Sequence, residues 1–204
     1  KIIPCHLGNG ASLTAIREGQ SVDTSMGLTP VEGLMMGTRS GDLDLGILTY
    51  VVNKEEITMS AANTLINKHS GLLGVSGISS DMREVMEASE NGNERALLAL
   101  KVYAYRVKKY IGSYIATLGG LDVLVFTGGI GENASRIRTM ACEQMQYLGI
   151  DLDEEKNKTV IGQEAIISKD TSKVKIVVIP TNEEYIIAHD TKQLIGSSIS
   201  KQKG

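Results

Sequence analysis

The 204-residue chain predicts a single α/β domain, on three observations. Two apolar runs, Val123–Thr127 and Val174–Pro180, are each followed by a helical pattern, which marks parallel strands covered on both faces. Residues 1–25 read as short strands in a meander. Glycine supplies 22 residues, clustered beside apolar runs, as in loops that bring backbone close to a ligand. No internal repeat, low-complexity tract or linker divides the chain.

Taken in order, Lys1–His6 is apolar and extended, Ala11–Arg17 alternates, and Ser21–Thr24 follows a turn at Glu18-Gly19-Gln20. Residues 27–46, rich in Gly, Thr, Ser and Asp, read as a long irregular loop of the kind that carries function. Helices are expected at Leu45–Val52, at Ser60–Lys68 with Ser60 as N-cap, and at Ser80–Ser89. Glu94–Leu118 is the longest, with an apolar stripe of Leu97, Leu98, Val102, Tyr105, Val107, Ile111 and Ile115 and a stop at Gly119-Gly120. A helix over Ala134–Leu148 ends at Gly149, and another spans Glu183–Ile195. Residues 197–204 are polar and expected to fray.

Composition excludes several classes. The chain is 42% hydrophobic and 22% charged, too apolar for disorder. A net charge of −3 leaves no electrostatic footprint for nucleic acid or an anionic membrane. No apolar run reaches the roughly 20 residues a membrane helix needs. Cys5 and Cys142 suit buried thiols in a reducing, cytoplasmic compartment better than a disulfide framework. The chain opens on Lys1 without an initiator Met or signal peptide, and reads as a piece of a longer polypeptide.

Three loops follow strands, where open α/β sheets place ligands. In His6-Leu7-Gly8-Asn9-Gly10-Ala11-Ser12 the glycines allow either a plain β-turn or a turn whose N–H groups face a phosphate. In Thr127-Gly128-Gly129-Ile130-Gly131-Glu132-Asn133 a glycine loop opens a helix, which suits either close packing or a nucleotide. It also satisfies the dinucleotide fingerprint through Ala134, with Asp151 or Asp153 near the expected distance. Pro180-Thr181-Asn182-Glu183-Glu184 places carboxylates at a helix start, for dipole compensation or for Mg²⁺. In the long loop, Arg39 stands between Gly37 and Gly41, either as a fork for carboxylate or phosphate or as a surface partner of Asp42 or Asp44. Asp81-Met82-Arg83 reads first as a helix N-terminal turn, and His69 and His189 as structural or solvent-facing.

Together these stretches resemble the acetate kinase family. They are His6–Ser12, Asp23–Gly27, Thr29-Pro30, Glu32–Asp42, Ser80–Arg83, Gly128–Asn133 and Pro180–Glu184, in the family's order and across nearly the whole chain. The resemblance implies a ribonuclease H-like α/β domain of the acetate and sugar kinase, chaperone and actin superfamily, a mixed sheet flanked by helices. It implies ATP/ADP with Mg²⁺, acetate as the small-molecule substrate, and a homodimer formed through this domain. His6, Leu7, Gly8, Asn9, Gly10, Asp81, Met82, Arg83, Gly129, Ile130, Gly131, Glu132 and Asn133 would line the nucleotide site. Arg39 would be catalytic, contacting the phosphoryl group in transit, and Glu183, or Glu184 one residue on, would hold the metal. Leu45 stands where the family pattern has Pro. The family's N-terminal domain, which supplies a metal-binding Asn, an ATP-contacting Lys, a second Arg, the catalytic Asp and a His, has no counterpart in these residues, so residues 1–204 read as the C-terminal domain. Propionate or butyrate kinase, a dinucleotide-dependent oxidoreductase and a non-catalytic dimerisation module are the alternatives.

Overall fold

Alternate residues of β1 (Ile2–Leu7) point to opposite faces, so Ile3, Cys5 and Leu7 are fully buried while Pro4 and His6 are half-buried on the other side. The computed structural model describes the backbone of residues 1–201, and their side chains except Glu183 and 196–201. β2 (Ala11–Arg17) runs back antiparallel to β1, and β3 (Gln20–Thr24) joins it through a turn. Glu18 and Gly19 in that turn have φ of 50° and 79°, the double positive φ whose twist suits a tight hairpin. β4 (Val123–Thr127) and β6 (Lys175–Val178) extend the sheet in parallel from β1, and β5 (Ala165–Ile166) closes the edge antiparallel. The order is β3-β2-β1-β4-β6-β5, a mixed sheet. Its parallel centre sends the chain out of β1, β4 and β6 at one edge.

One face is buried completely: Ile3, Cys5, Leu7, Leu124, Phe126, Ile176 and Val178 have no exposure. Against it packs the helix α5 (Glu94–Leu118), bracketed by Asn93, whose side chain accepts from Ala96 N, and by Gly119 at φ 67°. Its buried stripe is Ala96, Ala99, Leu100, Tyr103, Val107, Ile111, Tyr114, Ile115 and Leu118. The sequence-derived stripe needs correction: Leu98 and Tyr105 are 51% and 60% exposed. The alanines Ala96, Ala99 and Ala104 are buried instead. The expectation that both sheet faces are covered also needs correction, because Pro4, Val123, Val125 and Val177 stay half-buried.

The remaining helices are α1 (Leu45–Lys54), α2 (Met59–Lys68), α3 (Gly71–Ser76), α4 (Met82–Glu90), α6 (Gly128–Asn133), α7 (Ser135–Cys142), α8 (Glu154–Thr159) and α9 (Glu183–Lys201). The N-cap of α2 is Thr58, which accepts from Ala61 N, rather than Ser60. The helix expected over 134–148 is broken. It starts earlier as α6, turns at Ala134, continues as α7, and passes Gln144 at φ 59° into a 3₁₀ turn at Gln146–Leu148. α9 runs past Ile195 to Lys201; the last residues of the tail expected to fray, 202–204, lie outside the described ones. Among the described residues no helix is long and apolar enough to cross a membrane. Cys5 and Cys142 are buried and unbridged, and burial drives both thiol pKa values up, that of Cys142 to about 12.

Candidate active site

The three glycine- and carboxylate-bearing loops leave the carboxyl ends of β1, β4 and β6 side by side, at the edge where open α/β sheets hold ligands. After β1 the chain turns within Gly8–Gly10, where Gly8 N donates to Gly10 O at 3.0 Å. The Asn9 carbonyl accepts from Gly37 N at 3.0 Å, which ties this turn to the arginine loop. A Cβ on Gly37 would collide with Asn9 Oδ1 and stand 3.0 Å from Ser80 O. Glycine at position 37 therefore lets three loops meet.

Ser80 leads into α4, whose N-cap is Asp81. Its Oδ1 accepts from Arg83 N at 2.8 Å and from Arg83 Nε at 3.1 Å, and Oδ2 from Arg83 Nη2 at 2.6 Å. The Arg83 side chain and then its backbone N–H bond to the carboxylate and hold its pKa at about 2. On the facing side, Gly128 opens α6 at φ 77°, where a Cβ would stand 2.8 Å from Leu7 O. Only glycine fits that approach. Between these loops lies a cleft of about 750 Å³ lined by Gly8, Asn9, Ser80 to Arg83, Met86, Gly129, Ile130, Asn133 and Ala134, within the size range of small-molecule sites.

Of the residues the resemblance implies for a nucleotide, Gly8, Asn9, Asp81, Met82, Arg83, Gly129, Ile130 and Asn133 thus line one cleft. The others are placed differently. His6 is half-buried beside Gly8, and its ring makes no hydrogen bond to a described residue. Gly10 borders Arg39, whose Nη1 lies 3.4 Å from where a Gly10 Cβ would stand. Leu7 is fully buried core. Gly131 is buried, its missing Cβ 3.3 Å from the Phe126 carbonyl carbon and 3.5 Å from Cys5 O, so it packs helix on strand. Glu132 acts as a latch. Its Oε1 accepts from Gly128 N at 2.8 Å and from Thr181 N and Oγ1 at 2.9 and 3.0 Å, joining the loops after β4 and β6. The donor expected to meet a phosphate at the start of α6 already meets this carboxylate.

Arg39 pairs with neither Asp42 nor Asp44. Among the described residues its guanidinium bonds only to Pro30 O at 3.5 Å and Met36 Sδ at 3.4 Å. Asp44 caps α1 through Gly46 N, and Asp42 accepts from Tyr110 Oη at 2.8 Å and from Gly33 N at 2.9 Å, with Arg106 Nη1 3.6 Å away. The loop is thereby pinned to α5 while the Arg39 guanidinium keeps no carboxylate. In the third loop Asn182 Oδ1 accepts from Tyr185 N at 3.2 Å. The Glu183 side chain lies outside the described residues, and Glu184 is exposed. No three His, Cys, Asp or Glu side chains converge among the described residues.

The dinucleotide fingerprint loses its second half: Asp151 pairs with Lys169 at 3.0 Å and Asp153 caps α8. Neither ends a strand, where a ribose-binding acid should stand. Sequence reasoning also missed Arg138 and Asn157, both fully buried behind α6. Their identities carry no sign of it, because burial of a polar pair is decided by tertiary packing.

The sequence profile of the acetokinase family matches residues 1–189. The acetate kinase of Bacteroides thetaiotaomicron is 57% identical over 195 residues, covering 96% of this chain and 49% of its own length. That of Dictyoglomus turgidum is 58% identical over 202 residues, covering 99% and 50%. The crystal structure of Porphyromonas gingivalis acetate kinase superposes with a TM-score of 0.92 at 54% identity, over 95% of this chain and 49% of that one. A propionate kinase from Francisella tularensis superposes at 0.85 and 45% identity, over 92% and 47%. The mixed sheet with flanking helices is the fold of these kinases, and the chain spans about half the length of the curated relatives it matches.

Proposed function

The chain belongs to the acetokinase family, and from that premise we propose that it forms the nucleotide side of a cleft in which the γ-phosphoryl of ATP passes reversibly to acetate, giving acetyl phosphate and ADP. The observation that carries this reading is the convergence of the loops after β1, after β4 and before α4 on one cleft. The missing side chains at Gly8 and Gly129 give phosphates access to backbone, and Met82, Met86 and Ile130 offer an apolar wall for the base. The His6 ring, without a hydrogen-bond partner among the described residues, stands at the edge of the same turn.

Phosphoryl transfer passes through a charge-dispersed, in-line transition state, so positioning and electrostatics supply most of the catalysis. In this reading Arg39 is the catalytic residue of this half. Its planar fork faces no carboxylate among the described residues, so its donors are available to the equatorial oxygens of the moving group. Asp42, bound to Tyr110 and Gly33, keeps that loop fixed on α5. Mg²⁺ is bound through one or two carboxylates together with substrate phosphates and water rather than a protein cage. Glu183 fits as one such ligand, because it opens α9 two residues after Thr181, which Glu132 ties to the glycine loop. When bound, the ion neutralises phosphate charge.

The similarity to a propionate kinase keeps the acyl group among short-chain carboxylates, which differ by one methylene and are separated only weakly by an apolar pocket. A homodimer through this domain is part of the same reading, supported by the apolar surface of α1. Calorimetric titration of ADP into the chain tests the nucleotide side. Binding that NAD does not reproduce is the expected result, and NAD binding in place of ADP overturns it.

A further inference from the structure

Arg138 on α7 reads in the sequence as an ordinary helix cation, yet it is fully buried. A guanidinium carries five N–H donors in a fixed fork, and here each meets an acceptor. Nε donates to Asn157 Oδ1 at 2.6 Å, Nη1 to the carbonyls of Gly131 and Glu132 at 2.9 Å each, and Nη2 to the carbonyls of Asn157 and Val160 at 2.9 and 2.7 Å. No acceptor is a carboxylate. Burial brings the pKa down to about 10, so the group stays charged at neutral pH. Asn157, also fully buried, donates in turn to Ser135 O and Thr139 Oγ1 at 3.0 Å each.

The fork has a direction. Gly131 and Glu132 belong to the last turn of α6, and Gly129, Ile130 and Asn133 of the same helix line the cleft. A cation on the final carbonyls complements the negative end of that helix. On its other side the fork holds the segment after α8, where Gly162 N donates to Glu132 O at 3.3 Å. A hydrophobic side chain in this space would leave these buried carbonyls without donors, so the arginine satisfies the backbone and in doing so fixes where the last turn of α6 sits.

We infer that Arg138 is a positioning residue of the nucleotide site, fixing the cleft face of Gly129–Asn133 by gripping the carbonyls behind it. This rests on the nucleotide reading above. Arg138 touches no ligand and acts through α6.

The test titrates ADP into the 204-residue chain and its variants at a temperature where each is folded. Arg138→Lys keeps a cation but has three donors for five acceptors, and its ADP dissociation constant is expected to rise roughly ten-fold, as when a supporting group lets a site loosen. Asn157→Ala leaves the grip on Gly131 and Glu132 but frees Nε, and a smaller rise of about three-fold is expected. Ile111→Val, a core truncation in α5, should lower the melting temperature and leave ADP affinity unchanged. Parental affinity in a folded Arg138→Lys or Asn157→Ala chain overturns the positioning role, and so does an equal loss in Ile111→Val. If neither Arg138→Lys nor Asn157→Ala folds, Arg138 serves the fold and the inference falls. A parent chain that binds no ADP overturns the nucleotide reading instead. The grip itself is then read by hydrogen exchange: acceleration confined to the Gly129–Asn133 amides supports it, and acceleration spread over the chain overturns it.

Discussion

Asp81 caps α4 and holds the Arg83 guanidinium with both oxygens, and these bonds to Arg83 keep its carboxyl near 2 rather than the ordinary 3.8. A folded-state pKa below the unfolded value means that the stabilisation is complete above about pH 4 and is lost as pH falls toward 2. Arg83 is largely exposed, so solvent keeps the effect small. Asp81→Asn retains a cap acceptor without the charge. Its melting temperature, followed by circular dichroism, should fall less steeply than the parent's between pH 4 and 2, and identical acid profiles would show the pair to be inert. Gly131 makes the opposite case at the same scale. It reads in the sequence as a ligand-facing glycine, but its Cβ position is occupied from the side of Phe126, Cys5 and Leu7. Valine there overpacks the seam between α6 and β1, at a cost of about 1–3 kcal/mol. Urea unfolding of Gly131→Val measures this directly, and an unchanged midpoint would return Gly131 to the cleft wall.

Among the elements, those with a strong local pattern were legible and those set by packing were not. β2, β4 and α5 begin and end where alternation, an apolar run and the Asn93 and Gly119 caps place them. α3 escaped because Gly71-Leu72-Leu73-Gly74 has too few turns to show a period, and α8 because Glu154–Thr159 is polar throughout. The break between α6 and α7 leaves no local mark, since no proline interrupts 128–142. In the proposed homodimer, α1 would serve contact between copies rather than the fold. Its Asp44 cap and Lys54 in the last turn stabilise a helix that buries none of its residues, leaving Leu45, Ile47 and Tyr50 at 77%, 52% and 61% exposure. Apolar groups gathered this way mark an interaction face. Ile47→Glu combined with Tyr50→Glu should convert a dimer to a monomer in sedimentation while shifting stability by no more than about 0.5 kcal/mol, as surface changes do. A parent chain that sediments as a monomer at high concentration removes α1 as the dimer face.

At the scale of the whole molecule, the parallel centre of the sheet explains why the glycine-loop side of the cleft could be read from glycines and strand ends, while the Ser80–Arg83 side was reached only through the family resemblance. β1, β4 and β6 deliver their loops to one edge, so residues distant in sequence, such as Asn9 and Ile130, meet there. The supports behind the cleft were not legible, because Glu132, Arg138 and Asn157 acquire their roles only when α6, α7 and α8 pack together. That division of labour sets what the 204-residue chain should do when assayed by itself. The groups lining the cleft lie within it, so ADP should bind weakly. The chain spans about half the length of its curated relatives, and Arg39, beside Gly10, faces no acceptor-binding group among the described residues. Positioning of the acceptor and closure against water would then depend on a second wall. Proximity and orientation account for roughly 7–11 kcal/mol of such a barrier, so one wall should retain almost none of the rate. Hydroxamate formation from acetate, ATP and Mg²⁺, beside calorimetric titration with ADP, checks both halves of the expectation. Robust turnover by the chain alone would mean that these residues also bind and orient the acceptor, and the division of roles between two walls would be wrong.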